Sequence, residues 1–366
     1  MPLIGPGLCA DNFGQKGFGR IIAMEDAVFT AFLVIHHELN RDLGLDAPLV
    51  QRYFIWLGNM LTGDFGRSFS LNRPVLDDVL ERFNATLILA GPAFVLCSVL
   101  GILAVGMTFV ILIGGIDLSV GSVLALSMMV LGYLSVEAGM PMSVAIADAL
   151  IVSAVTGAIA GFMITAFSVP ACIATLAMMS IARGLANMIT DGSQIIGFPA
   201  WFNMAAIIRY GGYLTMTVAV MLVVFVVALL FQRYREGGRM LYAVGGNPEV
   251  ARLAGINVNR VTVLVYAVSA TLAGLGGVLL AARLDAVQPS IGVAYELDAI
   301  AAVVIGGTSL SGGTGGIGGT IIGVLIIGVL RNGLNLLSVS PFSQAVIIGL
   351  VIVLAVAAET FKKKAK

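Results

Sequence analysis

The chain has 366 residues, of which 59% are apolar and only 11% charged, less than half the charged share of about a quarter found in ordinary soluble domains. Twenty Lys and Arg balance twenty Asp and Glu, so no basic excess exists to neutralise phosphates, and nucleic acid is excluded as a partner. Seventeen of the forty charges fall in the first 84 positions. This separates a polar leader, 1–84, from an apolar remainder, 85–366.

The best apolar stretch of the leader, 27–35, is nine residues long, too short to cross a bilayer. An irregular, mostly soluble segment is expected there. Beyond it, charge-free runs at 83–116, 118–136, 149–182, 210–232, 261–282, 299–330 and 332–358 mostly reach the ~20 residues that span a bilayer as a helix. Two of the longest contain Ser168-Val169-Pro170 and Gly312-Gly313-Thr314-Gly315-Gly316, which predict turns. The predicted spans are 85–112, 118–136, 143–165, 169–189, 213–231, 261–282, a short 297–308, 316–336 and 343–360. The fold class is an all-α polytopic membrane protein with about eight to nine transmembrane helices.

Positively charged loops stay in the cytoplasm. Arg233, Arg235, Arg239, Arg252 and Arg260, and the tail Lys362, Lys363, Lys364 and Lys366, are therefore expected inside, and four predicted spans lie between the two clusters. Counting backwards places the leader outside, although no apolar segment is there to carry it across.

The segment 232–260 predicts a short, sharply bounded cytoplasmic helix. After Gly245 and Gly246, Asn247 is a good N-cap, Pro248 fits the first turn, Glu249 complements the positive helix end, and Gly255 suits the position after the C-cap. Val250, Leu253 and Ala254 share one face. That face either docks in a groove of a partner or rests on the protein's own membrane domain.

Polar groups inside apolar runs are functional suspects, because an unpaired buried carboxylate is costly. Asp117 and Ser119 precede a predicted helix, where Asp117 can cap it or line a path. Asp148 sits among small apolar residues, Glu296 and Asp298 stand where a short helix begins and can cap it, and Asn332 and Asn335 fall near the end of a span. None of the acids has a His, Lys or Ser partner at catalytic spacing, so catalytic residues are not expected. Cys9, Cys97 and Cys172 are too widely spaced, and His36 and His37 too isolated, for a disulfide framework or a metal site. Each Cys reads as a small buried apolar residue. The G-x-G-x-x-G at 313–318 has no strand around it, and no G-x-x-x-x-G-K-[ST] occurs, so any ATP hydrolysis falls to another polypeptide.

Several stretches resemble the permease subunit of bacterial ABC importers for simple sugars, the ribose type: GILAVGMTFV at 101–110, GGIDLSVG at 114–121, AVGGNP at 243–248, GINV at 255–258, YELDAI at 295–300, GGTSL at 306–310 and NGLNLL at 332–337. The resemblance covers about 91–366. It implies a permease of the bacterial inner membrane that works as a pair, meets a periplasmic sugar-binding protein outside and a separate ATPase inside, and binds no cofactor itself, ATP and Mg being used by the ATPase. It also implies that 238–255 is the segment meeting the ATPase. The leader instead resembles the first extracytoplasmic loop of dipeptide and oligopeptide ABC permeases, through LGLDAP at 43–48, YFIWL at 53–57, GDFGRS at 63–68 and VLDDVLERFNATL at 75–87. Residues 1–37 match neither family. Two alternatives stay open: an ATP-independent carrier using Asp148 or Asp117 for ion coupling, and an inactive fusion of two permease fragments.

Overall fold

A computed structural model describes residues 97–210 and 214–364, together with Pro48, Gln51, Tyr53, Phe54, Gly58 and residues 74–76. The chain divides into two compact units, Met1–Ala85 and Thr86–Lys366. The leader's motifs, Cys9 and the His36-His37 pair lie almost wholly outside the described residues.

The larger unit is helical. Its elements are α1 (Cys97–Leu112), α2 (Val120–Gly132, running on as a π-helical turn Tyr133–Glu137), α3 (Met142–Ala166), α4 (Ala171–Met188), β1 (Ile195–Ile196), α5 (Ala200–Ile207), β2 (Arg209–Tyr210), β3 (Leu214–Thr215), α6 (Met216–Tyr234), α7 (Glu236–Gly246), α8 (Pro248–Leu253), α9 (Val258–Leu284), β4 (Ala286–Val287), α10 (Tyr295–Ile305), α11 (Ile317–Leu336) and α12 (Pro341–Lys364). Among the described residues six helices, α2 with its π turn, α3, α4, α6, α9 and α11, are long and apolar enough to cross a membrane. With α1, α12 and the half-length α10 they account for the predicted spans, apart from 85–96 of the first, which lies outside the described residues.

Breaks fall where the backbone cannot continue a helix. Ser168 at φ 53° and the Pro170 that follows separate α3 from α4. Positive φ at Gly312, Gly313 and Gly315 turns the chain between α10 and α11, a conformation with little steric cost only for glycine. The eight-residue α5 lies between two predicted spans; it buries Phe202, leaves Trp201 exposed and packs on α9.

Helix α9 is the hub, packing along both α2 and α3. Close approach depends on small side chains, as lipid-embedded helices require. A Cβ at Gly157 would strike the Tyr266 carbonyl, one at Gly277 the Leu124 carbonyl, and Ser127 Oγ donates to the Gly274 carbonyl at 2.9 Å. Large apolar side chains also cover the outside: Ile151, Val155, Ile159 and Phe162 form an exposed stripe along α3, and Val223, Val226, Val227 and Leu230 another along α6. Such stripes suit a lipid solvent.

Two ends of the bundle are tied differently. At one, the Leu112 carbonyl closing α1 accepts from Gly313 N at 2.9 Å, and Gly245 at the end of α7 lies against both. At the other, β1 and β4 pair antiparallel, Ile195 with Val287 and Ile196 with Ala286, beside Gly132 of α2.

A Cβ at Gly323 of α11 would collide with the Ala302 carbonyl oxygen of α10, whereas Gly318 faces open space. Gly323→Val should therefore destabilise the unit by about 1–3 kcal/mol, and Gly318→Ala should leave it unchanged or slightly firmer. Thermal unfolding in detergent checks both.

Candidate functional site

The segment expected to meet a partner consists of two helices, α7 and α8, where the sequence reading allowed for one. Four glycines at 237, 238, 245 and 246 argue against α7 by propensity. It forms because Leu241 and Val244, three apart, are buried on one face. That spacing was the available signal. Gly245 permits the end of α7 to sit on the Leu112 carbonyl and the glycine turn, where a Cβ would collide with Leu112 and Gly313.

Asn247 then caps α8, its side-chain oxygen accepting from Glu249 N at 2.9 Å and Val250 N at 3.1 Å, with Pro248 in the first turn. Gly255 terminates it at φ 85°. Glu249 and Arg252 pair at 3.0 Å on the surface, a contact worth little. Ala251 is the inward residue, buried with Val244 and Val258. Val250, Leu253 and Ala254 point outward, and Leu253 is 89% exposed.

A polar relay ties this segment to the bundle. Gln232 Nε2 donates to the Tyr242 hydroxyl at 2.8 Å, Tyr242 donates to the Gly315 carbonyl at 2.7 Å, and Gln232 Oε1 accepts from Ile317 N at 3.0 Å. Burial raises the Tyr242 phenol above its ordinary value, so it keeps the proton that it donates.

Deeper in the unit, Asp117 is 1% exposed and fully engaged. It accepts from Ser119 N at 3.0 Å, Ser119 Oγ at 2.6 Å and Ser269 Oγ of α9 at 3.1 Å. The neighbouring Ile116 carbonyl accepts from Thr175 of α4 and from the Tyr266 hydroxyl of α9, at 3.3 and 3.4 Å. The break between α1 and α2 is thus clamped from two sides. Asp117 was expected as a helix cap; the residue at the boundary is Ser119, and α2 starts at Val120. Asp117 accepts instead from Ser119, two residues on, and from Ser269 of α9.

A second break precedes α10. Arg183 of α4 donates to the carbonyls of Pro289 and Ile291, and the Glu296 carboxylate lies beside Gly121, where Gly292 crosses α2. The boundary residue of α10, Ala294 at φ 68°, has no side chain that could cap it; the Glu296 carboxylate takes backbone hydrogen bonds at Ala294 and at its own residue instead. Asp298, 3% exposed, forms an ion pair with Arg331 of α11. Both line a cavity of about 250 Å³ with Tyr295, Asn335, Gln344 and Cys97, in which Gln344 Nε2 donates to Asn335 Oδ1 at 2.8 Å.

The structure therefore gathers Asp117 with Ser119, and Asp298 with Asn335. Asp148 stands half-buried on α3 and Asn332 half-buried on α11, both apart from these clusters. Arg183, Arg331, Ser269 and Gln344 were missed. Both arginines had served as the ends of charge-free runs, although each lies inside a helix: Arg183 satisfies carbonyls of the turn before α10, and Arg331 the Asp298 carboxylate of α10. Cys97 is buried as expected, but Cys172 is exposed, because its side of α4 faces outward. Among the described residues no three His, Cys, Asp or Glu side chains gather as a metal site.

The family described as the branched-chain amino acid transport system / permease component matches residues 91–356. The chain is 47% identical over 268 residues to the ribose import permease protein of Haemophilus influenzae, covering 72% of this chain and 82% of that protein. It is 36% identical over 278 residues to the L-arabinose transport system permease protein of Escherichia coli, covering 74% and 81%. It is 39% identical over 250 residues to an inner membrane ABC transporter permease protein of Escherichia coli, covering 66% and 76%. No solved structure matches the chain.

Removing one member of a buried ion pair strands the other charge, whereas replacing both with apolar groups need not destabilise. Arg331→Met alone should cost about 3 kcal/mol, and Asp298→Leu with Arg331→Met should recover most of it. Thermal unfolding of the two variants in detergent decides; equal losses would remove the pair from the forces joining α10 to α11.

Proposed function

The chain belongs to the permease-component family of the branched-chain amino acid transport system, and from that premise we propose that it carries a simple sugar, ribose or a close relative, through the inner membrane of a bacterium. It is a permease subunit of an ABC importer and not an enzyme; ATP hydrolysis belongs to a separate ATPase subunit. The observation that carries the choice of substrate is the 47% identity to a ribose import permease over most of both chains, joined by the likeness to an arabinose permease.

In this reading the end bearing α7, α8 and the 306–316 turn faces the cytoplasm, with the C-terminus on the same side. Support comes from Arg233, Arg235, Arg239, Arg252 and Arg260 clustered at that end. Two copies of the chain form the path, a periplasmic sugar-binding protein delivers the substrate outside, and an ATPase pair using ATP and Mg docks inside on α8. Gly245, Gly246, Asn247, Pro248, Glu249 and Gly255 build and bound that helix, while Val250 and Leu253 are the apolar surface the ATPase covers. The exposure of Leu253 on a helix whose other face is fixed by Ala251 supports this assignment.

Closure of the ATPase pair would draw the two α8 helices together. Movement of α7 would pass to the α10–α11 turn through Tyr242 and Gly315, and to α1 through the Leu112–Gly313 bond, tipping the pair between inward- and outward-facing states. The cavity holding Asp298, Arg331, Asn335 and Gln344 supplies carboxylate, guanidinium and amide groups, the chemistry that hydroxyl-rich substrates meet best. It is the part of the unit proposed to lie along the path.

Leu253→Asp would place a charge in the docking contact, where burial without a partner is strongly unfavourable. Copurification with the ATPase should fall at least about tenfold and sugar transport should be lost, while a cysteine at 246 stays reactive from the cytoplasm only. Gly255→Val, strained at its positive φ, should act in the same direction. Normal copurification and transport by Leu253→Asp would return α8 to an ordinary surface helix.

A further inference from the structure

Where α6 gives way to α7, Arg235 and Arg239 stand exposed, and among the described residues neither guanidinium has an ion-pair partner. Both line one open pocket with Phe231, Tyr234 and Glu236, so a single acid faces two cations. Phe231 also belongs to a second cavity, an apolar groove of about 360 Å³ between α1, α6 and α9 whose walls include Phe109, Val223, Val227, Leu264 and Val268. Every side chain lining that groove is apolar.

The two cavities join at one residue for a structural reason. Phe231 packs edge to face on Phe109 with ring centroids 5.8 Å apart. A Cβ at Gly237 would strike the Phe231 ring, so glycine there lets the chain fold tightly over it. Arg235 N donates to the Phe231 carbonyl at 3.1 Å, and Gly238 N to the Arg235 carbonyl at 3.1 Å. This turn sets Arg235 and Arg239 at the mouth of the groove. From Val223 to Phe231 the groove follows α6 for about 12 Å, at 1.5 Å per residue.

A slot that is apolar along its length and doubly cationic at its mouth fits a ligand with a hydrocarbon body and an anionic head. Free phosphate has no use for the groove, and a zwitterionic lipid presents a cation beside its phosphate. The geometry points to a bound anionic glycerophospholipid, one acyl chain lying in the groove and the phosphate held between Arg235 and Arg239. Arg239 lies in the first turn of α7 and Leu241 lines the groove, so an occupied head group braces the start of the α7–α8 segment. The inference is independent of which substrate the permease carries.

The test uses the full-length purified protein, titrated with dioleoyl phosphatidylglycerol, dioleoyl phosphatidylcholine and inorganic phosphate and read by native mass spectrometry. Phosphatidylglycerol should bind at least about tenfold tighter than phosphatidylcholine, and phosphate alone should not bind. Arg235→Ala with Arg239→Ala should weaken phosphatidylglycerol about 30-fold, from two surface-type charge contacts. Val227→Trp, which fills the groove and leaves both cations intact, should weaken it as well while the helical circular dichroism stays unchanged. Equal binding of the two lipids, or unchanged phosphatidylglycerol binding in both variants, would overturn the proposal. Phosphate binding as tight as lipid would assign the arginines to a free anion and overturn it. Loss of an oligomer in Val227→Trp with lipid affinity intact would give the groove to a second copy of the chain and overturn it too.

Discussion

A carboxylate buried inside a membrane bundle has to be hydrogen-bonded from every side, and the central packing of this protein is arranged around doing so at Asp117. Its acceptors take up Ser119 beside it and Ser269 across from it. Tyr266 and Thr175 satisfy the adjoining Ile116 carbonyl, which the helix break has released. Backbone freed in this way is tolerated at membrane depth only when protein surrounds it. The requirement therefore fixes how α1, α2, α4 and α9 meet, and it explains the glycines along them: a Cβ at Gly106 would strike Ser269, and one at Gly115 the Tyr266 hydroxyl. The second break, before α10, obeys the same rule with Arg183 donating to two carbonyls.

The cytoplasm-assigned end is built on other terms. The helices α7 and α8 touch the bundle through Ala251, Val244 and Leu241, through the Tyr242 hydroxyl and through the glycines at 245 and 246. A segment held by few contacts and carrying exposed Val250 and Leu253 opens locally at lower cost than the buried frame. Stiff frame and lightly held lever together suit a subunit that does no chemistry and transmits motion supplied by another.

The long elements could be read from the sequence because bilayer thickness demands apolar runs of a certain length, and because Pro170 and the 312–316 glycines interrupt those runs for local steric reasons. The capped helix α8 was legible for the same local reasons, from Asn247, Pro248 and Gly255. Properties set by distant partners were not. Asp117 read as a cap because its neighbours favour one, while its bond to Ser269 crosses 152 positions. Asp298 read as a cap because it opens a helix, while its partner Arg331 looked like punctuation between two apolar runs. Helix α7 escaped notice because glycine-rich propensity outweighed a two-residue apolar pattern, which tertiary burial then decided.

The central claim is that this chain passes sugar only when an ATPase moves it. Proteoliposomes holding the chain with its ATPase, supplied with the sugar-binding protein and radiolabelled ribose, measure that directly. The account predicts ribose accumulation that requires all three components and ATP on the ATPase side, and that does not respond to proton or sodium gradients. Accumulation by the chain alone, driven by an ion gradient and indifferent to ATP, would contradict it.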